Sequence, residues 1–283
     1  NNQKLIARLK ELEVDHLDAV ICSHPDEDHC GGLSAVLAST RTDAFYCSVD
    51  SWHTKVFSDV TKYVAEQGIS VTIPQAGDTF AFSDASVEFL GPVVDYGDDP
   101  NEGSLVARVR YGETSFLFTG DMGFEAEDDM LAAGVDVSAT VLKVAHHGSA
   151  GSSSTEFLQA VHPQYAVISV GADNDYGHPT EAALNRLSAC GIPVYRTDLL
   201  GEIIAVSDGK TVTITSASNE APPASDAASQ TAGSYGYVGN SSSKVVHLAS
   251  CGKLPGESNR VYFASLDEAL AAGYRKHANC LGN

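Results

Sequence analysis

Basic residues are scarce in this sequence: 17 Lys and Arg stand against 37 Asp and Glu, a formal net charge of −20. That balance argues against a protein that grips nucleic acid over a broad basic surface, so an anionic substrate has to be held by local means. Long hydrophobic runs are missing too. No stretch of about 18 uninterrupted apolar residues occurs, the length a helix needs to span a bilayer. Six cysteines are too few for a disulfide scaffold in 283 residues. Cys22, Cys30, Cys47 and Cys190 fall in apolar or helical segments and read as buried thiols. There is no internal repeat at solenoid periods and no signal-peptide pattern at the start. The opening Asn1-Asn2-Gln3, without a Met, reads as processed or trimmed. With 43% hydrophobic and 19% charged residues, the rest is ordinary globular composition, which excludes wholesale disorder.

Composition shifts near Ser216. Residues 216–236 are rich in Ser, Ala, Pro and Gly and read as a flexible linker between a body at 1–215 and a small module at 237–283. A module of that size needs a staple such as a metal or a disulfide. In the body, helical spacing (Leu5, Ile6, Leu9, Leu12) gives way to a short apolar strand run at 19–22. A helix is expected from Gly31-Gly32 to Thr40, and another over 55–66 between strands at 44–49 and 70–73. Strand pairs follow at 79–82 with 87–90, and at 105–111 with 115–119 across the turn Gly112-Glu113. Helices at 124–133, 155–161 and 180–190 then alternate with strands at 140–144, 165–170 and 194–196, before two closing strands around Asp208-Gly209. Hairpins mixed with helices predict an α/β fold of two sheets sandwiched between helices.

Chemistry-bearing residues collect where strands end. Ser23-His24-Pro25-Asp26-Glu27-Asp28-His29-Cys30-Gly31-Gly32 follows the first strand run. Imidazoles and carboxylates so close together suit a divalent cation of intermediate softness, provided the loop curls. Thr119-Gly120-Asp121, Lys143-Val144-Ala145-His146-His147-Gly148-Ser149 and Tyr176-Gly177-His178-Pro179 stand at later strand ends. A lone Gly-Asp is usually a turn. Four such ends together form the pattern of one site assembled from separate loops on a rigid scaffold.

The order of these segments resembles the metallo-β-lactamase superfamily, whose signature is His-x-His-x-Asp-His; here it reads His24-x-Asp26-x-Asp28-His29. The His-Pro-Asp-x-Asp-His-x-Gly-Gly form is similar to the ComEC branch, the extracellular domain of a DNA-uptake channel. Asn101-x-x-Ser104-Leu105-Val106, Phe118-Thr119-Gly120-Asp121, Lys143-x-x-His146-His147-Gly148-Ser149 and Tyr176-Gly177-His178-Pro179 extend the likeness over nearly the whole body. Departures are the Asp at position 26, the absence of the usual third-motif His near Asn101 and Ser104, and the absence of a polytopic membrane channel. The family's opening strands, with their Asp-x-Gly-x-Gly stretch, do not precede the first helix. The expectation is therefore a free-standing relative with upstream residues or another segment supplying that sheet edge.

The resemblance implies an αββα sandwich and a two-metal centre holding zinc or manganese. One ion would take His24 and Asp26, the other Asp28, His29 and His178, with Asp121 bridging both. A water acidified there would attack a phosphodiester. His146 is expected to face the substrate with His147 in support, and Lys143, Asn101, Ser104 and Ser149 to contact it. Three carboxylate ligands and two cations would also place positive charge where an anion must sit.

The module at 237–283 is expected to be α+β. It resembles a small Ada-like metal-binding module appended to bacterial nucleases, in which His247, Cys251, His277 and Cys280 would hold a structural zinc. That family usually ends in Cys-x-x-Cys, where this chain has His277-x-x-Cys280. A Cys251–Cys280 disulfide is the alternative staple. The basic residues Lys244, Lys253, Arg260, Arg275 and Lys276 gather here. The leading expectation is a metal-dependent phosphodiesterase, a DNA nuclease of bacterial cell-surface or extracellular location. Alternatives are a hydrolase of phosphocholine esters, lactones or β-lactams, and a non-catalytic metal-binding relative.

Overall fold

The computed structural model describes residues 2–217, 237–248, 251, 253–256, 259–263 and 266–281. The expected linker lies almost wholly outside the described residues. The chain divides into two compact units, Asn1–Tyr111 with Phe118–Val135, and Gly112–Leu117 with Asp136–Asn283.

The first unit begins with α1 (Asn2–Glu11), β1 (His16–Leu17), β2 (Val20–Cys22), α2 (Glu27–Cys30), α3 (Leu33–Ser39), β3 (Arg41–Thr42) and β4 (Phe45–Cys47). It continues with α4 (Lys55–Glu66), β5 (Val71–Thr72), β6 (Thr79–Phe82), β7 (Ala85–Gly91), β8 (Val106–Tyr111) and α5 (Phe124–Ala132). α4 matches its expected bounds because its signals are local: the Thr54 hydroxyl accepts from the Phe57 N–H at the N-cap, and Phe57, Val60 and Val64 bury one stripe. β2, β4 and β5 form a parallel sheet in the order β2-β4-β5. Its alternate residues face two ways. Val20, Cys22, Phe45 and Cys47 pack with Phe57, Val60 and Val64 of α4, while Ile21 and Tyr46 pack against Val87, Phe89, Leu105 and Ala107.

That second cluster belongs to the antiparallel meander β6-β7-β8. Tyr46 stacks on Phe80 there, centroids 5.1 Å apart. On the far side of the meander, the backbone at Gly91 lies against Met130 of α5. Helix, sheet, sheet and helix therefore follow one another inside this unit.

The second unit contains β9 (Thr114–Phe118), β10 (Val141–Lys143), α6 (Thr155–Val161), β11 (Tyr165–Ile168), α7 (Glu181–Ala189), β12 (Val194–Arg196), α8 (Thr197–Leu200), β13 (Ile203–Ser207) and β14 (Val212–Ser216). β9, β10, β11 and β12 lie side by side, the last three parallel. Ser154 and Thr180 cap α6 and α7 with their hydroxyls.

The C-terminal residues form a four-stranded sheet ordered β17-β15-β16-β18, from β15 (Tyr237–Asn240), β16 (Val245–Leu248), β17 (Arg260–Phe263) and β18 (Arg275–Lys276). Helices α9 (Leu266–Ala271) and α10 (Ala278–Leu281) accompany it. Val246, Val261, Phe263, Ala269 and Tyr274 make its small core. Gly239 is required there: a Cβ would lie 2.5 Å from the Tyr274 ring and 2.8 Å from Phe263. The Thr155 hydroxyl donates to Tyr262 Oη at 3.1 Å, tying this sheet to α6. Among the described residues no helix is long and apolar enough to cross a membrane.

Candidate metal centre

In the first unit the segment after β2 departs from the expected loop. Pro25 and Asp26 start a helical turn, with the Asp26 carbonyl accepting from the His29 and Cys30 N–H groups. That turn, α2, puts Asp28 and His29 on its surface while His24 stays in the approach. Two buried thiols hold the backbone beneath: Cys22 Sγ donates to the His24 carbonyl and Cys30 Sγ to the Pro25 carbonyl, each at 3.1 Å. Burial pushes the Cys30 thiol up to about 11. The hydrogen bond with Cys47, then burial, raises Cys22 far above the ordinary thiol range. Both thiols stay protonated, which suits donors to carbonyls better than metal ligands.

Asp28, His29 and Asp121 each offer a ligand atom within 4.8 Å of the others. His29 Nε2 lies 3.0 Å from Asp121 Oδ1 and 3.6 Å from Asp28 Oδ2. His24 Nε2 lies 3.9 Å from Asp26 Oδ2, and the His24 and His29 rings are 4.1 Å apart. Both Nδ1 atoms face away, toward hydroxyls. Ser23 Oγ is 3.1 Å from His24 Nδ1 and 3.2 Å from His29 Nδ1. Ser104 Oγ is 3.2 Å from His24 Nδ1 and accepts the Asp121 N–H at 3.0 Å. With Nδ1 of each ring facing a hydroxyl, Nε2 is the nitrogen turned toward the carboxylates.

Gly120 makes this packing possible. Its φ is +52°, and a Cβ there would stand 2.7 Å from the Ser104 side chain and 2.9 Å from that of Ser23. The residues present therefore fit a divalent cation: two imidazoles held at Nδ1 by hydroxyls, with carboxylates on their Nε2 side.

Ser104 was expected to contact substrate. It is fully buried, and its hydroxyl instead orients His24 and holds the Asp121 backbone. Asn101 sits in the preceding turn, its N–H on Asp99 Oδ1 and its carbonyl accepting from the Ser104 N–H. The spacing gave no sign of Ser23 as a shared partner of two histidines, since adjacency to His24 says nothing about where a hydroxyl points.

In the second unit, residues 145–148 form a tight turn in which His146 and His147 both have positive φ, 47° and 53°. Non-Gly residues enter that region under strain, which concentrates at functional positions. His147 Nδ1 lies 2.6 Å from the Ser169 carbonyl. A carbonyl only accepts, so Nδ1 carries the proton and Nε2 is left as the ligand or base nitrogen. His146 meets His178 edge-on, centroids 5.6 Å apart. His178 is fixed by Asn174, whose amide accepts its N–H at 3.0 Å and donates to its carbonyl at 2.7 Å. Lys143 Nζ donates to the Val144 carbonyl at 3.1 Å, and Ser149 Oγ accepts from the Gly151 N–H at 3.3 Å.

Arg186, which the sequence reading did not single out, is 1% exposed. Its guanidinium donates to the carbonyls of Ser149, Ala150, Ser152 and Ser153, organising the loop that follows His146-His147-Gly148.

The C-terminal sheet carries a second donor set. His247, Cys251, His277 and Cys280 each place one ligand atom within 4.8 Å of the others. His277 Nδ1 is 3.2 Å from Cys280 Sγ and 3.8 Å from Cys251 Sγ, and the His247 and His277 rings stack at 4.0 Å. His247 Nδ1 is buried with no hydrogen-bond partner, an arrangement a cation would relieve. Burial, reinforced by His277, lowers the His247 pKa and keeps the ring neutral, as a ligand must be. Cys251 and Cys280 are free thiols. The Leu248 N–H donates to Cys280 Sγ at 3.4 Å, outer support of the kind metal thiolates use. Two imidazoles and two thiols suit a tetrahedral zinc.

The metallo-beta-lactamase superfamily matches residues 1–172. ComE operon protein 3 of Bacillus subtilis (strain 168) is 32% identical over 199 residues, covering 70% of this chain and 26% of that protein. Competence protein ComA of Neisseria gonorrhoeae is 36% identical over 200 residues, again 70% of this chain and 26% of that protein. The chain thus spans about a quarter of the length of these curated relatives. Among solved structures, CmlA, a diiron beta-hydroxylase from Streptomyces venezuelae, aligns at a TM-score of 0.39 and 16% identity, covering 54% of this chain and 35% of CmlA. With the family match covering more than half of its residues, and an αββα layering in its first unit, the chain belongs to the metallo-beta-lactamase superfamily and is similar to competence proteins.

Proposed function

We propose that the chain is a metal-dependent phosphodiesterase acting on DNA. The observation that carries this reading is the convergence of Asp28, His29 and Asp121, with Ser23 behind the His29 ring and Ser104 holding the Asp121 backbone. In this reading His24, Asp26, Asp28, His29 and Asp121 hold two divalent cations, zinc or manganese. The family resemblance, rather than a measured distance, adds His178. His147 supports His146, and its protonated Nδ1 leaves Nε2 to act. When bound, such cations supply a water of near-neutral acidity and polarise a phosphoryl oxygen.

The chain's own residues do the rest. Ser23 holds both imidazoles, and Ser104 that of His24, with Nε2 directed at the carboxylates. His146 faces the substrate and gives a proton to the leaving alkoxide. Arg186 holds the Ser149–Ser153 backbone in shape behind it. Competence relatives support DNA as the polymer, and the acidic surface favours a short or locally held stretch. In the C-terminal sheet, zinc on His247, Cys251, His277 and Cys280 acts as the staple a small core needs.

Plasmid and single-stranded DNA incubated with manganese, zinc or chelator test the reading. Metal-dependent cleavage that Asp121→Ala abolishes is expected. Turnover of small esters or lactones without DNA cleavage would support the acyl-ester reading instead. Tight metal binding with no turnover would make the chain a non-catalytic relative.

A further inference from the structure

The acidic body leaves open how a chain of this charge holds a polyanion. Residues 1–215 carry 12 Lys and Arg against 32 Asp and Glu, whereas 237–283 carry five against three. Three of these five cations lie at the β16–β18 edge, Lys244 just before β16 and Arg275 and Lys276 on β18, whereas Arg260 is on β17 at the other edge. β18, only Arg275 and Lys276, is the edge strand beside β16, and both residues are exposed. The Arg275 N–H donates to the Lys244 carbonyl at 2.8 Å. Lys244 Nζ is in turn held over the Tyr274 ring at 4.7 Å, 3.3 Å from Tyr274 Oη. Arg275, Lys276 and the exposed Lys253 take part in no ion pair among the described residues, in a protein where acids outnumber bases about two to one.

A two-residue strand is too short to hold its place by ladder bonds alone. The residue after it is His277, whose N–H continues the ladder to the Val246 carbonyl at 2.8 Å. On β16, the residue after Val246 is His247. The donor set His247, Cys251, His277 and Cys280 therefore draws one ligand from within β16 and one from the residue that follows β18.

We propose that the β16–β18 edge, with Lys244, Arg275 and Lys276, is a docking surface for the phosphate backbone of a nucleic acid, and that a metal on the His/Cys set holds this edge in shape. The proposal rests on the phosphodiesterase reading for its choice of polyanion. Exposed cations close together at two neighbouring strands, two of them without an ion pair among the described residues, match a polymer bearing a charge at every repeat. The same fixed cations would add local positive potential that the body lacks.

The test uses the full chain carrying Asp121→Asn, so that DNA is not consumed, loaded with zinc. Binding of a short fluorescein-labelled single-stranded DNA is followed by anisotropy across a salt series. Arg275→Glu with Lys276→Glu is expected to weaken binding about tenfold or more and to flatten the log–log salt slope by about 1–2. Lys210→Glu, an exposed cation outside this sheet, serves as the control and should change affinity by no more than about twofold. Chelation should weaken the parent to the level of the double variant, with zinc restoring it, and should leave the double variant unchanged.

Loss in the double variant no greater than in the control overturns the proposal. So does binding to vesicles of anionic lipid in place of DNA. Chelation without effect on affinity overturns the role of the metal. Hydrolysis of bis(p-nitrophenyl) phosphate, measured with Asp121 intact, should be the same with and without the Arg275 and Lys276 changes. If no hydrolysis occurs while salt-sensitive DNA binding persists, the phosphodiesterase reading fails and the docking surface stands.

Discussion

Replacing Ser104 by Ala removes one oxygen from a site where nothing can take its place. The side chain is fully buried, and its hydroxyl accepts the Asp121 N–H at 3.0 Å while facing His24 Nδ1 at 3.2 Å. Asp121 is itself 3% exposed, so the orphaned N–H stays out of reach of bulk water. The space left by a single oxygen is smaller than a water needs. His24 keeps Ser23 as its other partner, so the main cost is one unsatisfied buried donor, about 1–3 kcal/mol. In a chain of this size that lowers the thermal midpoint by roughly 2–10 °C. A second effect appears only with metal: with His24 and Asp121 less firmly aimed, affinity should fall about 10–100-fold, the usual consequence of losing an outer partner. Thermal denaturation of the metal-free protein and competition with a chromophoric chelator read the two effects separately. Ser39→Ala, an exposed serine bonded within its own helix, is the control and should stay within about 0.5 kcal/mol. Parent-like stability together with parent-like metal affinity in Ser104→Ala would refute the assignment of this hydroxyl as a support.

Gly120→Ala should destabilise by about 2–4 kcal/mol, because φ is +52° and the added Cβ meets Ser104 and Ser23; chemical denaturation measures it. Arg186→Met should cost at least about 3 kcal/mol by stripping the carbonyls of residues 149–153 of a charged donor, and Arg186→Lys should recover only part of it in the same assay. Glu102 accepts the Gly123 and Ala126 N–H groups at the start of α5, yet burial raises its pKa above the usual carboxylate value. The folded state then binds the extra proton, so stability from this group is present below about 4.5 and is lost as pH rises through the raised folded value. Glu102→Gln removes that loss, and the stability of the parent relative to this variant should fall as pH rises through the same window in denaturation curves.

Much of this was legible in the sequence because the signals were local. α4 and α6 took their expected bounds, since a hydroxyl cap and an apolar stripe act within a few residues of each other. The motifs at the strand ends were legible for a related reason: imidazole and carboxylate declare their chemistry wherever they stand. Their order along the chain led to the family that residues 1–172 match. The break between α2 and α3 was missed, because a turn begun by Pro25 and Asp26 looks in sequence like the loop before a single helix.

The sequence by itself showed which residues carry metal-binding chemistry, and that an acidic body precedes a stretch richer in cations. Only the tertiary structure decided what stands behind those residues. Ser104 reaches His24 across 80 positions, and Arg186 reaches the 149–153 loop across more than 30. A serine or an arginine carries no mark of its partner, because a hydrogen bond is chosen by what packing brings within about 3 Å, not by spacing along the chain.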